Sequence, residues 1–331
     1  MKKILPFIVV FLLVGLSGQI NAQGFPKKNR YTSIGVNINA MNYVGDEDPG
    51  PSFISPGLKF TRPNIGIEYI YRFAPRVSFR GNISDGEIGG SDQKNADYSE
   101  KNIFRKIRNE DFKSNIFEAK ADVIIDLFEN RGKYTKRPDY TPYIAVGLAY
   151  FHMNPKGQIN NSGQWYALEP QKLEGQSFSL NQIAIPLALG FRYKLSKQWD
   201  LSFEIGWRKT FTGYLDGVSS KYYDPSALGA ATNSTTYQLA NQTLAAYNSD
   251  PTLKSFIDSH YGNGQAGSGL VPVLNPNGTP VVNGNGQTVM TVRGFGNSGD
   301  QRGTPRTDVY ILTGFHLTYI IPGRIICPKF R

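Results

Sequence analysis

A chain of 331 residues with a net charge of +10 and a single cysteine is long enough to bury a sizeable interior but cannot build an internal disulfide framework. Beyond residue 22 it contains no run of about 20 apolar residues, which excludes a transmembrane helix. A basic cytoplasmic chain would point to nucleic acid. An exported one meets lipid phosphates, lipopolysaccharide or an acidic protein instead, so nucleic acid is not an expected partner.

Export is written at the start. Met1-Lys2-Lys3, an apolar run from Ile4 to Leu16, and small or polar residues up to Asn21-Ala22-Gln23 read as a secretory signal peptide, residues 1–22. Its removal takes away Lys2 and Lys3 and leaves 23–331 basic, with no cysteine at the new N-terminus to carry a lipid anchor.

From Tyr31 the chain alternates with a period of two, the mark of strands with two unlike faces. Strand one sets Ile34, Val36, Ile38 and Ala40 against Ser33, Gly35, Asn37 and Asn39; strand two carries Ile65, Ile67, Tyr69 and Tyr71. After the tight turn Phe73 to Arg76, strand three places Val77, Phe79 and Ile83 opposite Ser78, Arg80, Asn82 and Ser84. Strand four aligns Phe117, Ala119, Ala121, Val123, Ile125 and Leu127 on one face and Glu118, Lys120, Asp122 and Asp126 on the other. Strand five holds Ile144, Val146, Leu148 and Tyr150; strand six runs Ile183 to Tyr193, and strand seven Leu201 to Arg208. Strand eight carries Val309, Ile311, Phe315, Leu317 and Tyr319.

This is the pattern of an all-β fold, an eight-stranded antiparallel up-and-down transmembrane β-barrel. Such barrels use about 9 to 11 residues per strand, with long outward loops and short periplasmic turns. The connections alternate accordingly: Met41 to Lys59, Asp85 to Phe112, Pro155 to Ser177 and Asp216 to Thr307 are long, whereas Phe73 to Arg76, Glu129 to Thr141 and Leu195 to Gln198 are shorter. The expected organisation is an outer-membrane barrel over 23–331, with a large extracellular loop at 216–307 and a periplasmic tail at 322–331. In the large loop, Asp250-Pro251, the stripe Leu253, Phe256 and Ile257, and Gly262 predict a short helix. Val281-Val282 and Val289 to Val292 flank a turn and predict a hairpin.

Charges assigned to the inner face balance: Glu68, Glu118, Asp122, Asp126 and Glu204 against Arg72, Arg80, Lys120, Arg192 and Arg208. An interior this narrow is filled by its side chains, and an unpaired buried charge is costly. These ten are therefore read as structural pairs across the lumen rather than as an active site. His152, His260 and His316 lie far apart without metal spacing, and Asp46, Glu47 and Asp48 lack the ligand spacing of a calcium loop. Neither a cofactor nor catalysis is expected. The run Lys101 to Lys113, with Arg105, Lys106 and Arg108, reads equally as a contact for lipopolysaccharide phosphates or as a solvated loop.

Several stretches resemble one family, the PorG-like outer-membrane β-barrels of the type IX secretion machinery of Bacteroidetes. They are Tyr150-Phe151-His152-Met153-Asn154-Pro155, Gly163 to Leu168, Leu173-Glu174-Gly175-Gln176, and Arg208 to Ser219 with Tyr222 and Tyr223. Asn42 to Asp46, Arg302-Gly303, Asp308-Val309-Tyr310 and Cys327-Pro328-Lys329-Phe330 extend the resemblance over most of the mature chain, while the loop from Pro225 to Asp300 exceeds the family pattern. The resemblance implies a non-enzymatic component that associates at the outer membrane with a periplasmic ring built of a lipoprotein and its partner, of the PorK and PorN type.

From the residues themselves, the periplasmic face gathers Arg76, Arg131, Lys133, Lys136 and Arg137, then Arg324, Lys329 and Arg331 in the tail. This patch would dock the ring by electrostatic steering or meet phospholipid headgroups. Cys327 in the same tail is either a small buried residue or a disulfide to a partner chain. The alternative function is a generic small barrel that binds ligands or surfaces through its extracellular loops.

Overall fold

Strands with one apolar and one polar face have to hide the polar one when the other faces hydrocarbon, and eight of them do so here by closing on themselves. The structure, a computed structural model, describes residues 25–46, 60–99, 102–262 and 268–322. The signal peptide, Glu47, Asp48, Lys101 and the tail residues Arg324, Cys327, Lys329 and Arg331 lie outside the described residues. The barrel strands are β1 (Tyr31–Val44), β2 (Arg62–Arg72), β3 (Val77–Ser91), β4 (Asp111–Asp126), β5 (Tyr140–Gln158), β7 (Asn181–Lys194), β8 (Trp199–Thr210) and β11 (Val309–Ile321). Each pairs antiparallel with its neighbours, and β1 against β11 closes the ring. Three short strands lie outside it: β6 (Trp165–Ala167) extends the end of β5, and β9 (Leu270–Pro272) pairs with β10 (Met290–Val292).

The outer surface is apolar and bare. Ile38 is 63% exposed and Leu148 68%, and Ile65, Ile67, Phe117, Tyr150, Ile183 and Phe315 stand out in the same way. Such a continuous apolar band has no place in water. At the end with the short turns the band is edged by aromatic side chains: Phe128 packs edge-on to Tyr140, Tyr140 stacks on Phe191, and Trp199 leans on Tyr319. Aromatic girdles of this kind mark the apolar boundary of membrane barrels.

At the opposite end, the loop end, four strands run further than the alternation predicts. β1 continues past Ala40 to Val44, β3 past Ser84 to Ser91, β4 begins at Asp111, and β5 reaches Gln158. The reason is an inversion of polarity. Beyond the apolar band the outer face becomes polar, with Asp85, Asn115, His152 and Lys156, while the inner face becomes apolar, with Ile88, Phe112, Ile116, Phe151 and Met153. The period of two continues, but with its faces exchanged. Met41, Tyr43, Leu215, Tyr310 and Leu312 complete this apolar plug inside the barrel mouth.

The predicted helix forms as Pro251–Tyr261, where the Asp250 carboxylate accepts from the amides of Thr252 and Leu253. The predicted hairpin also forms, and a third segment joins it, because Val281 pairs with both Val273 and Val289. The last long connection is a folded cap rather than a bare loop. Its Leu253, Ile257, Tyr222 and Tyr247 bury Ile103 and Ile107 of the second long connection. A second core joins Leu168 and Leu173 of the third connection to Leu228, Tyr237, Val273 and Val281. Replacing the buried Ile257 by Ala should cost the cap about 2–5 kcal/mol. Limited proteolysis should then cleave within 211–308, while the barrel keeps its heat-modifiable migration on gels.

Candidate functional site

Alternation on closed strands sends every second side chain into the lumen, and there the ten charged residues meet. Arg80 is the hub: it grips Asp122 with two bonds of 2.8 Å, reaches Glu204 at 2.7 Å and lies 3.6 Å from Glu68. Lys120 stands 3.1 Å from Asp122 and 3.8 Å from Glu204. Arg208 pairs with Glu118, which also accepts from the Tyr310 hydroxyl at 2.6 Å. Nearer the turn end, Asp126 is shared by Arg72 and Arg192. The alternation missed four further members: His316, 2.9 Å from Glu68; Tyr143, which donates to Glu204; Tyr310; and Asp200. Their inward positions follow from the same parity, since His316 sits between the outward Phe315 and Leu317.

The gaps left beside Asn37, Lys120 and Arg208, and beside Arg72 and Asp126, amount to about 10 Å³ each, the scale of a single water. With the apolar plug above them, the lumen is a packed interior. Replacing Arg80 by Met leaves the buried Asp122 and Glu204 without their closest guanidinium and removes a second neighbour of Glu68. The expected cost is about 3–5 kcal/mol, read as a lowered urea midpoint of the detergent-folded barrel.

Residues from the ends of the strands and from the first, third and last long connections converge on one collar between plug and cap. Tyr43 donates to Asp216 at 2.7 Å and lies 3.4 Å from Asp308, and its oxygen accepts the amide of Asp46. A side chain at Gly45 would strike the Tyr43 hydroxyl at 1.9 Å, and Gly217 turns with φ +83°, so both need glycine. Asp308 accepts the amide of Leu215, Asp216 that of Val218, and Asp46 that of Thr304. Around them, Glu174 accepts from Tyr214, Ser219 and Ser220, and Arg302 bridges Glu110 and Glu174. Arg108 clamps Asp92 at 2.8 Å. The described part of the basic run of the second connection is thus turned inward: Arg105 donates to the Asp46 carbonyl and Lys106 to that of Gln93, whereas Lys113 stays on the barrel's outer face.

Burial pushes the Asp308 carboxyl up to about 8, with Asp46 adding to the effect. Burial and the adjacent Asp308 raise Asp216 well above the carboxylate range. A carboxyl at about 4 when unfolded and about 8 when folded holds its proton in the native state. The stability it contributes is full below pH ~4 and is lost as pH rises through about 8. Asp308→Asn should remove that part of the pH dependence, seen as a flatter profile of unfolding midpoint between pH 5 and 9.

At the turn end Arg76, Arg131, Lys133 and Lys136 are exposed. Arg137 is not part of that surface. It is buried in the barrel mouth, 2.7 Å from Asp200, and donates to the carbonyls of Lys197, Ser196 and Trp199. Tyr134–Lys136 forms a turn of helix that points its side chain inward, which spacing along the sequence does not reveal. The two neighbouring acids are engaged, Glu129 with Arg131 and Asp139 with Lys194. Among the described residues no group of three or more His, Cys, Asp and Glu is arranged to hold a metal ion.

The profile of the family described as "Domain of unknown function (DUF6089)" matches residues 2–251. No curated protein matches the chain. Among solved structures, Neisserial surface protein A is similar at 14% identity, with 54% of this chain and 82% of that chain covered and a TM-score of 0.30. The attachment invasion locus protein Ail of Yersinia pestis is similar at 10%, with 55% and 88% covered and a TM-score of 0.30. The N-terminal β-barrel domain of Pseudomonas aeruginosa OprF is similar at 8%, with 89% and 98% covered and a TM-score of 0.31.

Proposed function

This chain belongs to the DUF6089 family, and we propose that it is a non-conducting, non-enzymatic outer-membrane barrel that anchors a periplasmic ring of the type IX secretion machinery. Exported by its signal peptide, it spans the membrane with the apolar band, turns its short connections to the periplasm and carries the cap outside. A filled lumen leaves the rims and the outer wall to act on other molecules.

The observation that carries the docking role is the exposed cation set Arg76, Arg131, Lys133 and Lys136 on the turn end. There the nearby acids Glu129 and Asp139 already have partners, and Lys133 and Lys136 have no ion pair among the described residues. Such a rim favours an acidic partner surface, through on-rate and orientation more than through raw affinity. The PorG-like resemblance supplies the partner class, a PorK- and PorN-type ring. Changing Arg131, Lys133 and Lys136 to Glu should cut co-purification of the ring severalfold, with insertion of the barrel unchanged. Full recovery of the ring with an inserted variant overturns the role.

A second reading, surface binding through the cap, is supported by a different observation. Three long connections share two hydrophobic cores, which is more structure than a solvated loop needs. Removal of 225–300 would strip the cover from Ile103, Ile107, Leu168 and Leu173, so substitutions on the exposed cap surface, not deletion, separate this reading from the first.

A further inference from the structure

We propose that Lys113 and Lys156 form a clasp on the barrel's outer wall for a phosphate carried by a lipopolysaccharide head group. The inference rests on the outer-membrane reading above. The two lysines are cross-strand partners: in the register of β4 against β5, Phe117 faces His152, Asn115 faces Asn154, and Lys113 faces Lys156. All six side chains lie on the outer face, and the pairs change from aromatic to amide to cationic as the strands leave the apolar band. Like charges directly opposite each other destabilise a sheet. Neither lysine has an ion pair among the described residues, and the nearest outward acid on β3, Glu87, is held by Arg62 at 3.3 Å. An anion between the two would turn the repulsion into attraction.

The height selects the anion. Lys113 is four residues beyond Phe117, which at about 3.3 Å per residue and a tilt of about 40° is roughly 10 Å above the apolar band. That is just above the head-group layer, which extends about 5–7.5 Å beyond the hydrocarbon, and within reach of it for a lysine stem. Both lysines are half-buried, with long stems that let the ammonium groups bend toward the membrane. The Lys113 ammonium lies 4.6 Å from the centre of the Trp165 ring, on β6; an indole at this height is at home in the interface. Directly opposite positions hold Cβ atoms about 5 Å apart, so both ammonium groups reach one phosphate, each as a point charge with rotatable donors.

The test uses the full mature barrel, folded in detergent and placed in nanodiscs of neutral phospholipid containing either lipid A or its dephosphorylated form. The expected result is a higher unfolding temperature with lipid A than with the dephosphorylated lipid, and an apparent lipid A affinity roughly thirtyfold weaker in the Lys113→Gln, Lys156→Gln variant. The Lys113→Arg, Lys156→Arg variant, which keeps both charges, should retain most of the effect. An undiminished lipid A effect in the double Gln variant overturns the clasp. An equal shift from inorganic phosphate in neutral nanodiscs overturns the assignment to a lipid head group. Fractionation of cells expressing the wild type tests the outer-membrane reading separately, since the nanodisc measurement does not depend on where the cell places the barrel.

Discussion

Closure of eight strands into a ring too narrow to hold water in bulk is the constraint from which the rest follows. Once the ring is closed, half of every strand faces an interior that side chains have to fill, and its polar groups can find partners only among themselves. The Arg80 hub with Asp122, Glu204 and Glu68 is the consequence. A guanidinium suits the position because its planar fork serves two carboxylates at once. The network need not add much net stability against an apolar filling, but every member depends on the others being present.

The exchange of faces along β3, β4 and β5 makes the same strands serve two surroundings. Within the band they are apolar outside and charged inside; above it they are polar outside and apolar inside. The barrel thereby carries a water-soluble type of core on top of a membrane type of lumen, and the cap can fold against it. The collar of Tyr43, Asp216 and Asp308 sits at that junction. Burial raises the affinity of its two carboxyls for a proton, and neither has an ion pair among the described residues, in contrast with the paired acids of the lumen.

The residues of this collar sit at the loop end, away from the turn end. Glu174, Asp216, Gly217, Arg302 and Asp308 hold loops to the barrel mouth. The basic turn end, where docking is proposed, owes its character to a few lysines and arginines on two short connections. The collar and the proposed docking rim therefore lie at opposite ends of the molecule, joined by a lumen crossed by buried ion pairs.

Strand number, the two faces, the short turns, the Asp250-capped helix and the inward charges are all legible in the sequence, because each rests on local spacing: a period of two, a cap followed by proline, or a polar residue at an inward parity. The ends of the strands are not legible, since inversion of the faces looks, one strand at a time, like the end of a pattern. Nor is it legible that Arg137 leaves the basic rim for Asp200, that Arg105, Lys106 and Arg108 turn into the cap, or that Lys113 stands opposite Lys156. Local spacing states which way a side chain points from its own strand. Only closure and register decide which residues, tens or hundreds of positions apart, share one charge, one core or one anion.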